Sequence, residues 1–266
     1  MSEGDMRIAL VQSRCALSDK QGNIESMKKA LAAVEADLFV FCELYLTGYM
    51  VRDQVHRLAE RLDGRSVLKI SDLAEEHGCG ILFGMAREAD ELPGVIKNSA
   101  VLVSEDGVQS YDKVHPATFG PFEEGLYFAK GEAPAIMEYR DVVFGTCICY
   151  DLFHSEMARA YALSGAEVLV CLSASPYTSR ESFERIIPAR AVENTLYSIY
   201  VNQVGTQLNQ VFFGGSQAYG PRGDQLAKCH YFQDDIRTIE IDRNELDLAR
   251  RMRPTVRDGS ADLTEL

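Results

Sequence analysis

Basic residues are scarce. The chain has 27 Lys and Arg against 40 Asp and Glu, a formal net charge of −13. That balance argues against a nucleic-acid or anionic-membrane partner, since such surfaces call for clustered cations. It leaves the substrate open, because net charge can be spread over a distant surface. No apolar run approaches the ~20 residues of a membrane span. The opening Met1-Ser2-Glu3-Gly4-Asp5 lacks the basic and apolar regions of a secretory leader. Cysteine occurs seven times, an odd number at irregular spacing, so no disulfide framework is expected. Reduced thiols in a cytoplasmic protein are expected instead. The five histidines, at 56, 77, 115, 154 and 230, are scattered, and Cys147 and Cys149 form a C-x-C rather than paired C-x-x-C; no metal or cofactor is expected. No phosphate-cradling G-x-x-x-x-G-K-[ST] is present, since the glycines at 214, 215, 220 and 223 lack the Lys. Ser216 in Gly214-Gly215-Ser216-Gln217-Ala218 lacks the final Gly of a serine nucleophile elbow.

What is present alternates between strand and helix patterns. At 266 residues the chain suits one large α/β domain, assigned to 1–266, with a mixed rather than purely parallel sheet. Strands are predicted at Met6–Gln12, Leu38–Phe41, Gly80–Met85, Glu167–Leu172, Tyr197–Val201 and Arg237–Ile241. Hairpins are predicted for Ser99–Ser104 with Val108–Tyr111 through Asp106-Gly107, and for Ile136–Tyr139 with Val142–Ile148 through Arg140-Asp141. A late hairpin is expected from Phe212–Tyr219 and Leu226–Cys229. The apolar spacing of Ile24, Met27, Leu31 and Val34 predicts a helix over Asn23–Glu35 with Asn23 as its N-cap. Further helices are predicted over Val55–Ala74, broken at Gly64, and over Ser155–Ser164 and Ala189–Thr195, with Pro188 starting or kinking the last. Residues 88–95 and Phe119–Gly131 read as loops, and the tail from Arg250 as polar, docked on a partner or loose.

Three residues stand just beyond strand ends. Val142–Ile148 is an apolar, β-branched run that delivers Cys149 to a strand-to-helix turn, a common way to present a nucleophile. An apolar cysteine is more often an inert core residue, so both readings stand on local grounds. Glu43 follows Leu38–Phe41, where sites in α/β proteins gather, but equally where a loop-capping Glu would sit. Lys113 follows Tyr111-Asp112, and alone reads as a snorkelling surface residue. His115 and His154 offer a rival pairing with a cysteine.

Three separated blocks resemble the carbon–nitrogen hydrolase family, also called the nitrilase superfamily, and with their supporting matches the resemblance covers nearly the whole chain. Phe41-Cys42-Glu43-Leu44-Tyr45-Leu46-Thr47-Gly48-Tyr49 is similar to the family's P-E-x-x-x-x-G-Y block, with Cys42 in place of the Pro. Tyr111-Asp112-Lys113-Val114-His115 is similar to the block of the catalytic Lys, and Gly145-Thr146-Cys147-Ile148-Cys149-Tyr150-Asp151-Leu152 to that of the nucleophile. Supporting matches are Glu124 with Tyr127-Phe128 and Gly131, then Arg190-Ala191-Val192-Glu193-Asn194, Asn202 with Val204-Gly205, and Gly215-Ser216 before Pro221. After Asp151 the family's R-F-P-E reads Phe153-His154-Ser155-Glu156, a departure that bears on substrate specificity.

The resemblance implies a four-layer α-β-β-α sandwich with two mixed sheets. It implies a Glu43-Lys113-Cys149 triad with Glu124 as a second carboxylate, and the Tyr150 backbone N–H at the oxyanion. A nitrile-type Trp-Glu after the nucleophile is missing, and the chain has no Trp at all. A small linear amide or N-carbamoyl substrate is therefore expected, cleaved through a Cys149 thioester. A glutaminase-type activity and a non-catalytic protein keeping the fold are the alternatives. Tyr49, Phe119, Phe122, Ser173, Tyr177 and Arg180 are pocket candidates from their nearness to the blocks, with Arg180 a possible receiver of a substrate carboxylate or simply a surface Arg. A homodimer or larger assembly is expected from family habit.

Overall fold

The computed structural model describes residues 5–90 and 92–259. The leader reading at Met1 to Gly4, Glu91 of the 88–95 loop and the last seven residues of the tail lie outside them.

The chain runs β1 (Met6–Gln12), α1 (Lys20–Ala33), β2 (Leu38–Val40), α2 (Val55–Leu58), α3 (Arg65–His77), β3 (Gly80–Glu88), β4 (Ile96–Ser104) and β5 (Gly107–Asp112). It continues through α4 (Glu124–Tyr127), β6 (Ile136–Tyr139), β7 (Val142–Ile148), α5 (Ser155–Leu163), β8 (Val168–Ser173), α6 (Arg180–Asn194) and β9 (Tyr197–Asn202). The last part is β10 (Val204–Gln207), β11 (Gln210–Phe213), β12 (Gln217–Tyr219), β13 (Gln225–Lys228), β14 (Asp235–Ile241) and α7 (Arg243–Met252). Two six-stranded mixed sheets result, ordered β14-β1-β2-β3-β4-β5 and β13-β12-β9-β8-β7-β6. In the first, β1, β2 and β3 are parallel; in the second, β7, β8 and β9 are.

Strand alternation sorts the layers. Ile8, Leu10, Leu38, Val40, Leu82 and Leu102 join a core with Phe144, Ile148, Leu172 and Tyr197 of the other sheet. Their neighbours Ala9, Val11, Phe39, Ile81, Phe83, Val101 and Val103 face Ile24, Met27, Leu31, Val67 and Ile70 of α1 and α3. Side chains of successive strand residues point to opposite faces, so β1 to β4 of the first sheet serve two cores. Helices α5 and α6 cover the second sheet at β7 and β9, which completes the α-β-β-α sandwich.

Several expectations are corrected. Helix α1 begins at Lys20, capped by Asp19, whose carboxylate accepts from the Gly22 N–H. Asn23 is not a cap. Its buried amide exchanges hydrogen bonds with Ala16 and donates to the Leu46 carbonyl, which ties the helix to the loop after β2. The helical stretch from Val55 breaks from Ala59 to Gly64, earlier than the glycine alone suggested. Helix α6 starts at Arg180 and carries Pro188 inside it rather than at its start. The loop over Phe119–Gly131 contains the single turn α4; the late hairpin is present as the antiparallel pair β12–β13, while Phe212–Phe213 belong to β11, which pairs with β10. The polar tail packs on its own chain: α7 is capped by Asp242, Arg250 donates to the carbonyls of Ala166 and Thr195, and Arg159 donates to that of Thr255.

Candidate active site

Glu43 follows β2 in a loop laid directly on β3. The Gly84 N–H donates to the Cys42 carbonyl, and a Cβ at Gly84 would stand 2.2 Å from the Leu44 nitrogen. Only a glycine lets the loop approach this closely, and Leu44 itself turns at φ +48°. The Glu43 carboxylate is fully buried. Its Oε1 accepts from Asn98 Nδ2 at 2.8 Å and Lys113 Nζ at 2.7 Å, and its Oε2 from the Ala174 N–H at 2.9 Å. Beside it, Cys42 Sγ lies 3.3 Å from Cys15 Sγ.

Lys113 leaves β5 with its N–H on the Asn98 carbonyl, while its own carbonyl accepts from the Gly131 N–H. The side chain is not a snorkelling one. It is 1% exposed, and Nζ bridges Glu43 to Glu124, 2.8 Å from Glu124 Oε2. Glu124 opens α4, where Oε1 accepts from the Tyr49 hydroxyl at 2.5 Å and Oε2 from the Ala117 N–H at 3.0 Å. One ammonium is thus shared by two buried carboxylates.

Cys149 follows β7 in the left-handed region, at φ +49°, and opens a short 3-10 turn through Phe153. A non-glycine residue held there is strained, and surrounding structure must hold it. Asp151 is one such support. Its buried carboxylate accepts from the Ile148 N–H, the Tyr111 hydroxyl and the His115 N–H. Arg190 is another, reaching from α6 to donate to the carbonyls of Leu152 and Phe153. The Cys149 sulfur lies 3.5 Å from Ser175 Oγ, which is 2.6 Å from Ser173 Oγ. Ser175 is fixed in turn by Asn202, whose amide pairs with its N–H and carbonyl.

Burial raises the Glu43 carboxyl above its ordinary value, Lys113 opposes that shift, and Glu124 adds to it. Burial also works against the Lys113 ammonium, but Glu124 and Glu43 more than offset it, so Lys113 stays charged. Burial and the nearby Glu43 carboxylate hold the Cys149 thiol well above its usual value, with Lys113 pulling the other way. Burial and the Glu43 charge thus both favour the thiol form of the resting sulfur.

Cys149 opens into a cavity of about 300 Å³ lined by Ala117, Phe119, Phe122, Tyr150, Phe153, Ser175, Thr178, Ser179, Ser182 and Phe183. Of the pocket candidates, Phe119 and Phe122 line it, Ser173 stands behind Ser175, and Tyr49 packs edge-on against Phe122 while holding Glu124. Tyr177 and Arg180 are not brought to it; the Arg180 guanidinium lies over the rings of Tyr177 and Tyr231. His115 and His154 do not line it either, being stacked on each other at 3.5 Å with His115 Nδ1 on Asp151. Among the described residues no His, Cys, Asp and Glu cluster is placed to hold a metal ion. Asn98, Ser175, Asp151 and Arg190 complete the surroundings. The last two stand inside quoted sequence blocks, whereas Asn98 is brought in by strand pairing and Ser175 by the turn after β8 that Asn202 holds.

The sequence model of the family described as carbon-nitrogen hydrolase matches residues 7–251. The chain belongs to the carbon–nitrogen hydrolase family. This hydrolase is 33% identical over 251 residues to an (R)-stereoselective amidase of a Pseudomonas species, an alignment covering 92% of this chain and 88% of that one. It is 30% identical to the glutamine-dependent NAD(+) synthetase of Thermotoga maritima over 90% of its own length but only 42% of the synthetase. Its fold is that of an amidase of Nesterenkonia sp. AN1, with a TM-score of 0.84 at 26% identity, covering 100% of this chain and 97% of the other. In that structure the acetamide moiety of fluoroacetamide is covalently added at the active-site cysteine.

Proposed function

We propose that this hydrolase is a thiol amidase that cleaves a small amide or N-carbamoyl compound through an acyl thioester on Cys149. The observation that carries the reading is the buried Lys113 ammonium shared between Glu43 and Glu124 at the strand ends that also present Cys149. Glu43, with its raised pKa, accepts the Cys149 proton as the sulfur attacks the carbonyl carbon. The tetrahedral oxyanion is met by the Tyr150 N–H, in the opening turn after Cys149, and by Lys113. Loss of one such donor typically costs about 3 kcal/mol of transition-state stabilisation. Collapse breaks the C–N bond, and the Glu43 proton goes to the departing amine. Glu43 then takes a proton from water, whose oxygen attacks the thioester carbonyl. The acid leaves, and the proton returns to the thiol. Glu124 and Tyr49 hold Lys113 between its partners, so Lys113 can serve both steps without moving.

An assembly of two or more copies and a cytoplasmic setting belong to the same reading; the seven cysteines are all free thiols. No helix among the described residues is long and apolar enough to cross a membrane. Ammonia release from a panel of amides, carbamoyl amines and glutamine tests the activity, with loss of all turnover in Cys149→Ala the expected result. Turnover that survives Cys149→Ala would overturn the reading. A light-scattering mass of one 29.6 kDa chain would remove the assembly.

A further inference from the structure

Every side chain lining the Cys149 cavity among the described residues is uncharged. Its deep end is Ala117, Phe183, Cys149 and Ser175, all buried; Phe122, Phe153 and Tyr150 form half-buried aromatic walls. The rim is also neutral, made by Phe119, Thr178 and Ser182. The rings form a continuous set: Phe119 meets Phe122 and Tyr150 edge-on, Tyr150 meets Phe153, and Phe153 meets Phe183.

No cation among the described residues lines the cavity, and those placed close to its walls are engaged. Lys113 is buried between Glu43 and Glu124, Arg190 holds the Leu152 and Phe153 carbonyls and pairs with Glu193, Arg180 covers the Tyr177 and Tyr231 rings, and His154, edge-on to Tyr150, is stacked on His115. A carboxylate entering the cavity would lose its hydration, find no free cation, and face two carboxylates sharing one ammonium. Burying an unpaired charge in such surroundings is strongly unfavourable. A hydrocarbon group gains instead, by leaving water for an apolar wall. The cavity volume of about 300 Å³ equals about ten water-sized groups, since water occupies about 30 Å³.

Resting on the thiol-amidase reading, we propose that the substrate is a neutral carboxamide whose acyl part is an aryl or branched alkyl group of about ten heavy atoms. Glutamine and other amides carrying a carboxylate are excluded by the same wall. The hydroxyls of Thr178, Ser179 and Ser182 tolerate a neutral polar substituent toward the rim. The geometry thus sets this chain apart from a glutaminase that must receive an α-carboxylate.

An isosteric pair tests this. In 5-methylhexanamide an isopropyl group stands where glutaramate carries its carboxylate. Wild-type kcat/KM for ammonia release is expected to favour 5-methylhexanamide by 100-fold or more, with phenylacetamide also turned over and glutamine not. Ser182→Arg, at an exposed rim position outside the catalytic groups, is expected to narrow that ratio at least tenfold by supplying a cation. Equal or better turnover of glutaramate or glutamine, abolished by Cys149→Ala, would overturn the proposal and leave the amidase reading intact. Absence of Cys149-dependent ammonia from every compound would overturn both.

Discussion

In the proposed mechanism the Cys149 proton passes to Glu43, so Glu43 acts as base only when ionised, and burial shifts its titration upward. The acid limb of kcat/KM is therefore expected above the ordinary carboxylate range, with activity falling as pH drops through it. Glu43→Gln should lower kcat about 10³-fold and remove that limb; a limb that persists in the variant would assign it to another group. The thiol shift makes a separate prediction. Alkylation of Cys149 by iodoacetamide should be slow at neutral pH and rise steadily into the alkaline range, because no thiolate is preformed. A rate plateau between pH 5 and 8 would reveal an ion pair instead. Lys113 holds two buried carboxylates, so Lys113→Ala should abolish turnover and lower stability to urea by about 3–5 kcal/mol. Adding Glu124→Gln should recover part of that stability, because it removes one of the stranded charges.

The elements place these groups by close backbone approach. β2 and β3 are parallel neighbours, and the Glu43 loop reaches its position only because Gly84 lacks a Cβ. Gly84→Ala should cost about 1–3 kcal/mol by overpacking and lower kcat as well, read from urea melts and steady-state rates. Arg190 acts from α6 on the turn after Cys149. Arg190→Lys keeps the charge but not the fork that reaches both carbonyls, and a tenfold lower kcat with unchanged KM is expected. The sequence made the strands legible wherever alternation or an apolar run was strong, as at β7 and β8, whose predicted limits fall within one residue of those observed. It hid the first half of α6, where Pro188 and the charged run Arg180-Glu181-Ser182-Phe183-Glu184-Arg185 masked the periodicity. It misread Asn23, because a buried amide serving a distant loop and an N-cap use the same residue type. It missed α7 because a surface helix that buries only Leu246 and Ala249 leaves a sparse apolar pattern.

Across the whole molecule, two sheets share one core, and beyond three strand ends Lys113 pairs with Glu43 while both act electrostatically on Cys149. Those three were legible because each stands in a block similar to the family's and just past a strand. Asn98 was not, since its role arises from β4 lying beside β5; the Ser173-Ala174-Ser175-Pro176 run after β8 was legible as a family-like segment, but its contact with the Glu43 loop was not. Arg180 shows the opposite limit: nearness in sequence to the site suggested a carboxylate receiver, and stacking on two tyrosines took the side chain elsewhere. The central claim is the acyl thioester on Cys149, and a partition experiment with hydroxylamine tests it most directly. With 5-methylhexanamide, its N-methylamide and its methyl ester as starting compounds, one ratio of hydroxamate to acid is predicted for all three, and no hydroxamate from Cys149→Ala. Ratios that change with the leaving group, or hydroxamate formed without Cys149, would contradict it.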